Sequence, residues 1–269
     1  MEIKSLDTID DHGRYTKHIK KFEGIHIFKA DQIVIEKLKE CKKLLANGKL
    51  THSYPHSWRS KAPLVHRATS QWFISMEKKD LRKKALKAID ETNFYPARGR
   101  DRIRSMIETR PDWCVSRQRI WGVPLPLFVS KKTKEPLKDP DVIENIAKIF
   151  EKEGADCWFT DDPQKFLGKK YKKEDYTKSN DIVEVWFDSG ATHSYVLEKR
   201  KDLTWPASMY LEGSDQHRGW FHSSLLESCG TRGKAPFKSI LTHGFVVDGK
   251  GLKMSKSTGN IIAPEECSQ

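Results

Sequence analysis

Residues 209–219, MYLEGSDQHRG, run from an apolar strand directly into a polar cluster, and residues 239–260, SILTHGFVVDGKGLKMSKSTGN, repeat that order. A stretch with helical character at about 215–228 lies between the two strands. Strand, polar turn, helix and strand in succession predict an α/β fold with a doubly wound parallel sheet. Such sheets bind ligands beyond the carboxyl ends of their strands, and both polar clusters fall there.

The second polar cluster, KMSKSTGN at residues 253–260, holds two lysines, three hydroxyl groups and a glycine within eight residues. A pyrophosphate leaving group needs positive charge and many donors on a loop that can close over it. Pro264, Glu265 and Glu266 suit the first turn of a helix after this loop. A short lysine and serine loop alone is more often a solvated basic surface, but the complete string between a strand and a helix start favours phosphate binding.

Composition limits the class of protein. The chain has 269 residues, 49 basic against 37 acidic side chains and a net charge of +12. This balance favours a polyanionic partner, although charge by itself does not distinguish nucleic-acid binding from a merely charged surface. No apolar run reaches 18 residues and the first twenty residues lack an apolar signal core, so we expect a cytoplasmic protein without membrane spans. The five cysteines form no Cys-x-x-Cys pair, so no zinc site is expected.

The remaining sequence predicts further elements around these clusters. Residues 130–180 are rich in lysine, aspartate and glutamate and are interpreted as a peripheral insertion. Residues 111–129 carry apolar stretches flanked by prolines, which indicate extended chain entering a sheet. Apolar alternation predicts a strand at 24–28, and helical periodicity predicts helices starting at Asp31 and spanning 78–89, 99–109 and 141–153.

Three sequence blocks together carry a family resemblance. They are SRQRIWGVP at 116–124, WFDSG at 186–190 and YLEGSDQHRGWF at 210–221, and KMSKS at 253–257 completes them. With these blocks the chain resembles the class I aminoacyl-tRNA synthetases, and the isoleucyl-tRNA synthetases in particular. The resemblance covers nearly the whole chain and is least specific at 130–180. It implies the second half of a Rossmann-type parallel sheet and an isoleucine–tRNA ligase that uses ATP and Mg²⁺.

The resemblance also implies roles for individual residues. In that family the second lysine of the loop, here Lys256, contacts the ATP phosphates, and Lys253 supports it. The resemblance further assigns ATP or adenylate binding to Glu212, Gly213, Asp215, Gln216, Ser255 and Ser257, and the walls of an isoleucine pocket to Trp186 and Trp220. The plainer alternatives are core packing for the tryptophans and a surface carboxylate for Glu212. Arg117 and Arg119 are expected to hold neighbouring carbonyl groups rather than the tRNA acceptor end.

The resemblance finally predicts what the chain needs from elsewhere. The His-x-Gly-His motif of the family does not occur, so we expect the chain to be inactive alone and to require a second chain that supplies the N-terminal half of the synthetase. Residues 1–51 resemble the end of an inserted editing domain, 52–115 a return to the core, and 116–269 the second half of the catalytic domain. Ser57-Trp58-Arg59-Ser60 stands where some relatives have a cysteine zinc half-site. The expected partners are isoleucine and tRNA(Ile); the alternative is a non-catalytic remnant that binds RNA or a partner.

Overall fold

The computed structural model describes residues 6–57, 60–119, 121–256 and 258–267. Ser257 of the predicted ATP site, Ile120 of the SRQRIWGVP block, and Trp58 and Arg59 of the serine-bearing half-site lie outside these residues. The chain divides into two compact units, residues 1–70 and 71–269. All the predicted site residues belong to the second unit, so its architecture decides their placement.

The elements follow one another in a mixed α/β order. The α-helices of the described residues are α1 (Ala30–Glu40), α2 (Leu81–Asp90), α3 (Arg98–Glu108), α4 (Pro140–Glu153), α5 (Cys157–Thr160), α6 (Pro163–Leu167), α7 (Val185–Gly190), α8 (Trp220–Arg232) and α9 (Pro264–Cys267). The strands are β1 (Phe73–Ile74), β2 (Asn93–Tyr95), β3 (Trp113–Cys114), β4 (Ser116–Arg117), β5 (Phe128–Ser130), β6 (Tyr176–Lys178), β7 (Ile182–Val183), β8 (Tyr210–Gly213) and β9 (Ser239–His243). Short 3₁₀ helices span Lys17–Ile19, Ile27–Lys29, Lys78–Asp80, Lys173–Asp175 and Ser214–His217, and a π-helical segment spans His193–Leu197.

A parallel three-stranded sheet in the order β2-β9-β8 organises the second unit. Glu212 pairs with Thr242 and Gly213 with His243 across the β8–β9 ladder. Because the three strands run in the same direction, their carboxyl ends meet at one edge of the sheet. The predicted α/β fold with a parallel sheet is therefore confirmed, and both polar clusters begin at this edge.

Helix α8 fixes the position of the sheet's polar edge. Its side chains are buried over most of its length, including Phe221, Leu225, Leu226 and Cys229, and it packs against α7 and α2. A helix that is apolar on several faces belongs in a core rather than on a surface. Gly233 ends α8 in a left-handed conformation with φ of 78°, which a residue without a Cβ adopts at little cost. Helix α8 is thus packed in the core beside α7 and α2.

The predicted insertion forms a small module with its own core. Antiparallel strands β5 and β6 pair, and the buried Trp158 and Phe166 rings lie 4.9 Å apart. Asp139 caps α4 by accepting a hydrogen bond from the backbone N–H of Asp141 at 2.9 Å, and Pro140 starts the helix. Residues 141–153 are helical as predicted. The strand pair, the aromatic core and the capped helix α4 together account for the fold of this module.

Some local predictions are wrong. Residues 24–28 contain a single bridge between Arg14 and His26 and then the 3₁₀ helix Ile27–Lys29, not a strand. The single helix predicted at 215–228 is a 3₁₀ helix at Ser214–His217 followed by α8. The described part of 111–129 does contain extended strands as predicted, and these strands, β3, β4 and β5, pair in separate two-stranded antiparallel ladders. None of the helices in the described part of the chain has the length and apolar content that a membrane span requires.

Candidate active site

The polar edge begins where β8 ends. Glu212, the next-to-last residue of the strand, is exposed, whereas Gly213 is buried and leads into the 3₁₀ helix Ser214–His217. A Cβ on Gly213 would lie 2.6 Å from Oδ1 of Asp215, so the Asp215 carboxylate covers the glycine backbone. Glycine at this position lets the carboxylate and the strand end approach each other. Gly213 and Asp215 thus lie against each other, and Glu212 precedes them on the strand.

Gln216 joins the polar edge to the start of α8. Its Oε1 accepts a hydrogen bond from the backbone N–H of Trp220 at 2.9 Å, and its Nε2 donates to Oδ2 of Asp215 at 3.3 Å. The first N–H groups of a helix have no partner within the helix, so this side chain supplies one. These two hydrogen bonds therefore fix the orientation of the Gln216 amide and, through it, that of the Asp215 carboxylate.

Trp186 approaches the same edge from α7. A Cβ on Gly219 would lie 2.9 Å from Cη2 of Trp186 and would overlap Oε1 of Gln216. Trp186 is 41% exposed, so part of its surface remains accessible. Gly219 is therefore the point where Trp186 and Gln216 meet, and any side chain there would separate them.

Trp220 has a more buried position than Trp186. Its ring stacks on Tyr210 with 4.0 Å between centroids and 2° between planes, and its indole N–H donates to the Ser189 carbonyl at 3.0 Å. Aromatic stacking and a satisfied indole N–H hold the ring in one orientation. One face of Trp220 is consequently used by the protein itself, and only the opposite face can meet a ligand.

The lysine loop is closed by a pair of polar side chains, Asp248 and Asn260. Nδ2 of Asn260 donates to Oδ2 of Asp248 at 2.8 Å, and Oδ1 of Asn260 accepts from the backbone N–H of Ser255 at 3.0 Å. Oδ1 of Asp248 accepts from the backbone N–H groups of Lys250 and Leu252, each at 2.9 Å. These hydrogen bonds, led by the one from Asn260, lower the pKa of Asp248. The loop is therefore folded on itself.

The two lysines of the loop have different surroundings. Lys253 pairs with Val247 in an antiparallel bridge, and its ammonium lies 3.9 Å from the centroid of the Phe245 ring. Lys256 is exposed. In the part of the chain that the structure describes, no hydrogen bond or ion pair joins either lysine to Glu212 or Asp215. The loop follows β9, and β9 pairs with β8, so the two polar segments are connected through this strand pair.

A cleft of about 300 Å³ adjoins this edge. Its lining includes Trp186, Gly219, Arg117, Glu184, Arg218 and His222. Burial, together with the nearby charge of Arg110, lowers the pKa of His222 to about 3, so the imidazole is neutral near pH 7. Arg117 donates to the carbonyl groups of Cys114 and Ser116 at 3.2 and 2.7 Å and lies 3.8 Å from Glu184. Arg117 thus holds neighbouring carbonyls, as expected from the sequence.

A buried carboxyl group lies behind the cleft on α8. Burial raises the pKa of Glu227 to about 9, and the charges of Asp188 and Glu184 contribute to the same shift. A Cβ on Gly190 would overlap Oε1 of Glu227, so the glycine makes room for this side chain. Glu227 is therefore protonated near neutral pH and is a packing group rather than a general base.

The histidines of the edge have structural contacts. Nδ1 of the buried His217 lies 2.7 Å from the Ser214 carbonyl, and burial lowers its pKa. Nδ1 of the exposed His243 lies 2.7 Å from the Gly244 carbonyl. Both imidazoles are thus engaged with neighbouring backbone carbonyl groups.

Metal ligands do not gather at this edge. Among the described residues, the group of three side chains with metal-ligand spacing is Glu153, Cys157 and Asp161, in the insertion module. Lys165 donates to Glu153 and Asp161 at 2.5 and 2.7 Å, so an ammonium group already lies between the two carboxylates.

Sequence reasoning missed the pair that closes the loop and the polar lining of the cleft. Asp248 stands at the start of Asp-Gly-Lys-Gly, a recognisable turn signal, and that signal predicts the turn but not its link to Asn260. Glu184 and His222 carried no sequence signal, because only the packing of α7 against α8 brings them to one cleft.

Comparison of the sequence with known proteins identifies its family. The sequence profile described as tRNA synthetases class I (I, L, M and V) matches residues 9–269. The chain is 76% identical over 264 residues to isoleucine–tRNA ligase of Pelagibacter ubique, covering 98% of this chain and 29% of that protein. It is 54% identical over 264 residues to isoleucine–tRNA ligase of Syntrophotalea carbinolica, covering 96% of this chain and 28% of that protein.

Among solved structures, methionyl-tRNA synthetase of Mycobacterium tuberculosis, bound by methionyl-adenylate, aligns with a TM-score of 0.48 and 17% identity. The alignment covers 82% of this chain and 34% of that chain. The chain spans less than a third of the length of the curated relatives it matches.

Proposed function

The chain belongs to the family of class I tRNA synthetases (I, L, M and V), and from that membership we propose that it supplies part of the active site of a cytoplasmic isoleucine–tRNA ligase. The observation that carries this proposal is the shared edge of the sheet. Glu212 and Gly213 end β8, and the lysine loop follows β9, the strand paired with β8. The 76% identity to an isoleucine–tRNA ligase supports isoleucine as the amino acid.

The proposed reaction has two steps. A carboxylate oxygen of isoleucine attacks the α-phosphorus of ATP, the bond to the bridging oxygen breaks, and pyrophosphate leaves with the electron pair. A ribose hydroxyl of the terminal nucleotide of tRNA(Ile) then attacks the carbonyl of isoleucyl-adenylate, loses its proton and releases AMP. Mg²⁺ would accompany the ATP phosphates. Charge develops on the pyrophosphate oxygens in the first step, so preorganised cations there lower the barrier.

Lys256 and Lys253 are proposed to stabilise the pyrophosphate, with Ser255 and Ser257 as additional donors. Two cations separated by two residues on an exposed loop suit a ligand with several anionic oxygens. In the described residues neither lysine has a carboxylate partner within ion-pair distance, so their charge remains available for a ligand. A lysine already neutralised by an ion pair would contribute less.

Glu212, Gly213, Asp215 and Gln216 are proposed to bind the adenylate. Carboxylate and amide oxygens accept hydrogen bonds from ribose hydroxyls and from the ammonium group of isoleucine. The mutual hydrogen bond of Asp215 and Gln216 supports the proposal because it holds these acceptors ready for a ligand.

Trp186 and Trp220 are proposed as walls of the isoleucine pocket. A branched aliphatic side chain has no polar group, so flat apolar surfaces must enclose it. The partial exposure of Trp186 and its place in the cleft lining beside Gly219 support this role. For Trp220 the support is weaker, since its other face stacks on Tyr210.

The proposal is tested with a chimera in which this chain replaces the matching segment of the Pelagibacter ubique ligase. The chimera should catalyse isoleucine-dependent ATP–pyrophosphate exchange, and Lys256→Ala should lower its kcat by about 100-fold, as removal of a transition-state donor does. A chimera that folds but shows no exchange would reject catalysis and favour a non-catalytic RNA- or partner-binding role. The 269-residue chain alone should show no exchange, and adding the remaining part of the Pelagibacter ubique ligase as a second polypeptide should restore it.

A further inference from the structure

The lysine loop depends on a link between two side chains twelve residues apart, Asp248 and Asn260. Asn260 donates to Asp248 at 2.8 Å and to the Lys253 carbonyl at 3.3 Å, while its Oδ1 accepts from the N–H of Ser255 at 3.0 Å. One amide thus bonds the backbone on both sides of Met254. Asp248 in turn accepts from two backbone N–H groups of its own turn.

We propose that the Asp248–Asn260 pair is a positioning device for the proposed reaction, holding the backbone at Lys253 and Ser255 in the arrangement that presents the loop to the pyrophosphate. The proposal rests on the proposed function. Neither side chain is proposed to touch substrate.

The physical reason is the cost of ordering an exposed loop. Gly249, Gly251 and Gly259 lie within or beside the loop, and glycine has the largest conformational freedom of any residue. Each residue that must be ordered during the reaction raises the barrier by the lost backbone entropy. Past the Val247–Lys253 bridge the N–H of Met254 still donates to the Val246 carbonyl at 3.2 Å, and from Ser255 onward the two side chains add order to the loop.

The rest of the loop contains further local bonds, but these do not replace the pair. The hydroxyl groups of Ser255 and Thr258 contact each other, and the N–H groups of Thr258 and Gly259 donate to the Ser255 carbonyl at 3.2 and 3.1 Å. All of them lie between residues 255 and 259, whereas Asn260 reaches back to residue 248. The Asn260 amide adds a side-chain link between the lysine segment and the turn that follows β9, beside the backbone hydrogen bond from the N–H of Met254 to the Val246 carbonyl at 3.2 Å.

The test is a double-mutant cycle in the chimera, read by ATP–pyrophosphate exchange. Asp248→Asn places two amide donors face to face, and Asn260→Asp places two carboxylates face to face. The double variant restores one donor and one acceptor in reversed order and keeps an acceptor for the N–H of Ser255. We expect each single variant to lower kcat about 10-fold with the KM for isoleucine changed by less than about 2-fold, and the double variant to recover to within about 3-fold of wild type.

The matched control is Lys250→Ala, which keeps the backbone N–H that donates to Asp248 and should leave kcat unchanged. Single variants with wild-type kcat, or a double variant no better than the worse single variant, would overturn the proposal. A lowered kcat accompanied by an equal rise in the KM for isoleucine would also overturn it, because that result indicates general disruption of the site.

A second readout separates this inference from the proposed function. Trypsin cleaves after Lys250, Lys253 and Lys256, and in the 269-residue chain itself cleavage should be roughly 5- to 10-fold faster for each single variant and near the wild-type rate for the double variant, because proteolysis follows local opening. Equal cleavage rates would overturn the link. If the wild-type chimera lacks exchange while cleavage follows the expected pattern, the proposed function fails, and with it the catalytic part of this inference, but the structural link stands.

Discussion

Replacing Gly219 by alanine tests whether the contact between Trp186 and Gln216 shapes a ligand site. The added methyl group would overlap Oε1 of Gln216 and lie 2.9 Å from the Trp186 ring, whereas ordinary carbon contacts begin at 3.4 Å. Gln216 must then move by about 1 Å and Trp186 by about 0.5 Å to regain van der Waals contact. A displacement of about 1 Å in a positioned group costs on the order of 100-fold in rate.

The stability cost of the same substitution is smaller. Movement of Gln216 breaks its hydrogen bond to the N–H of Trp220, a loss of about 1 kcal/mol. For a chain of this size that corresponds to a fall in Tm of about 2–4 °C. Gly219→Ala should therefore remain folded while losing most of its activity.

The assay is isoleucine-dependent ATP–pyrophosphate exchange in the chimera, with Tm measured on the same preparations. We expect kcat/KM for isoleucine to fall by about 10- to 100-fold. Gly48→Ala is the matched control, since no atom lies within 4 Å of the added Cβ. Activity of Gly219→Ala within about 2-fold of wild type would refute the reasoning, because Trp186 and Gln216 would then not line the site.

Three further predictions concern stability and charge. Glu227 keeps its proton in the folded chain up to pH about 9, so its contribution to the free energy of unfolding is largest at low pH and falls as pH rises, by up to about 1.4 kcal/mol per pH unit above the ordinary pKa of a glutamate. Urea unfolding at pH 6 and 8 should therefore show a smaller pH dependence of stability for Glu227→Gln than for wild type. An equal pH dependence in the two proteins would contradict the burial argument. Trp158→Ala should destabilise the insertion module by about 3–5 kcal/mol, because the fully buried ring packs on Phe166. Hydrogen exchange should be faster at the backbone amides of α4 in this variant, and protection equal to wild type would contradict the prediction. Binding of tRNA by the chain should weaken steeply with salt, since counterions are released at each contacted phosphate; a salt-independent affinity in filter binding would contradict it.

The sequence was sufficient to predict the parallel sheet and the edge on which its polar clusters begin. Strands β8 and β9 contain apolar residues and end in abrupt polar turns, and here the sheet supplies the partners that this local signal needs. The positions of Glu212 and Gly213 follow from the strand end itself. The same reasoning predicted α4, because Asp139 and Pro140 form a local start signal.

Features that depend on distant packing could not be predicted. The alternation at 24–28 has the period of a strand, but a strand requires a partner along its length, and only the bridge between Arg14 and His26 forms. The stack of Trp220 on Tyr210 depends on how α8 returns across β8, which no pattern within α8 encodes. The Asp248–Asn260 link depends likewise on the path of the loop between them.

The most direct test of the central claim is a crystal structure of the chimera bound to a non-hydrolysable analogue of isoleucyl-adenylate, soaked with pyrophosphate. The account predicts the analogue against Glu212 and Gln216, its aliphatic side chain at Trp186, and pyrophosphate within hydrogen-bond distance of Lys256. An analogue bound on another face, or pyrophosphate distant from the loop, would contradict it.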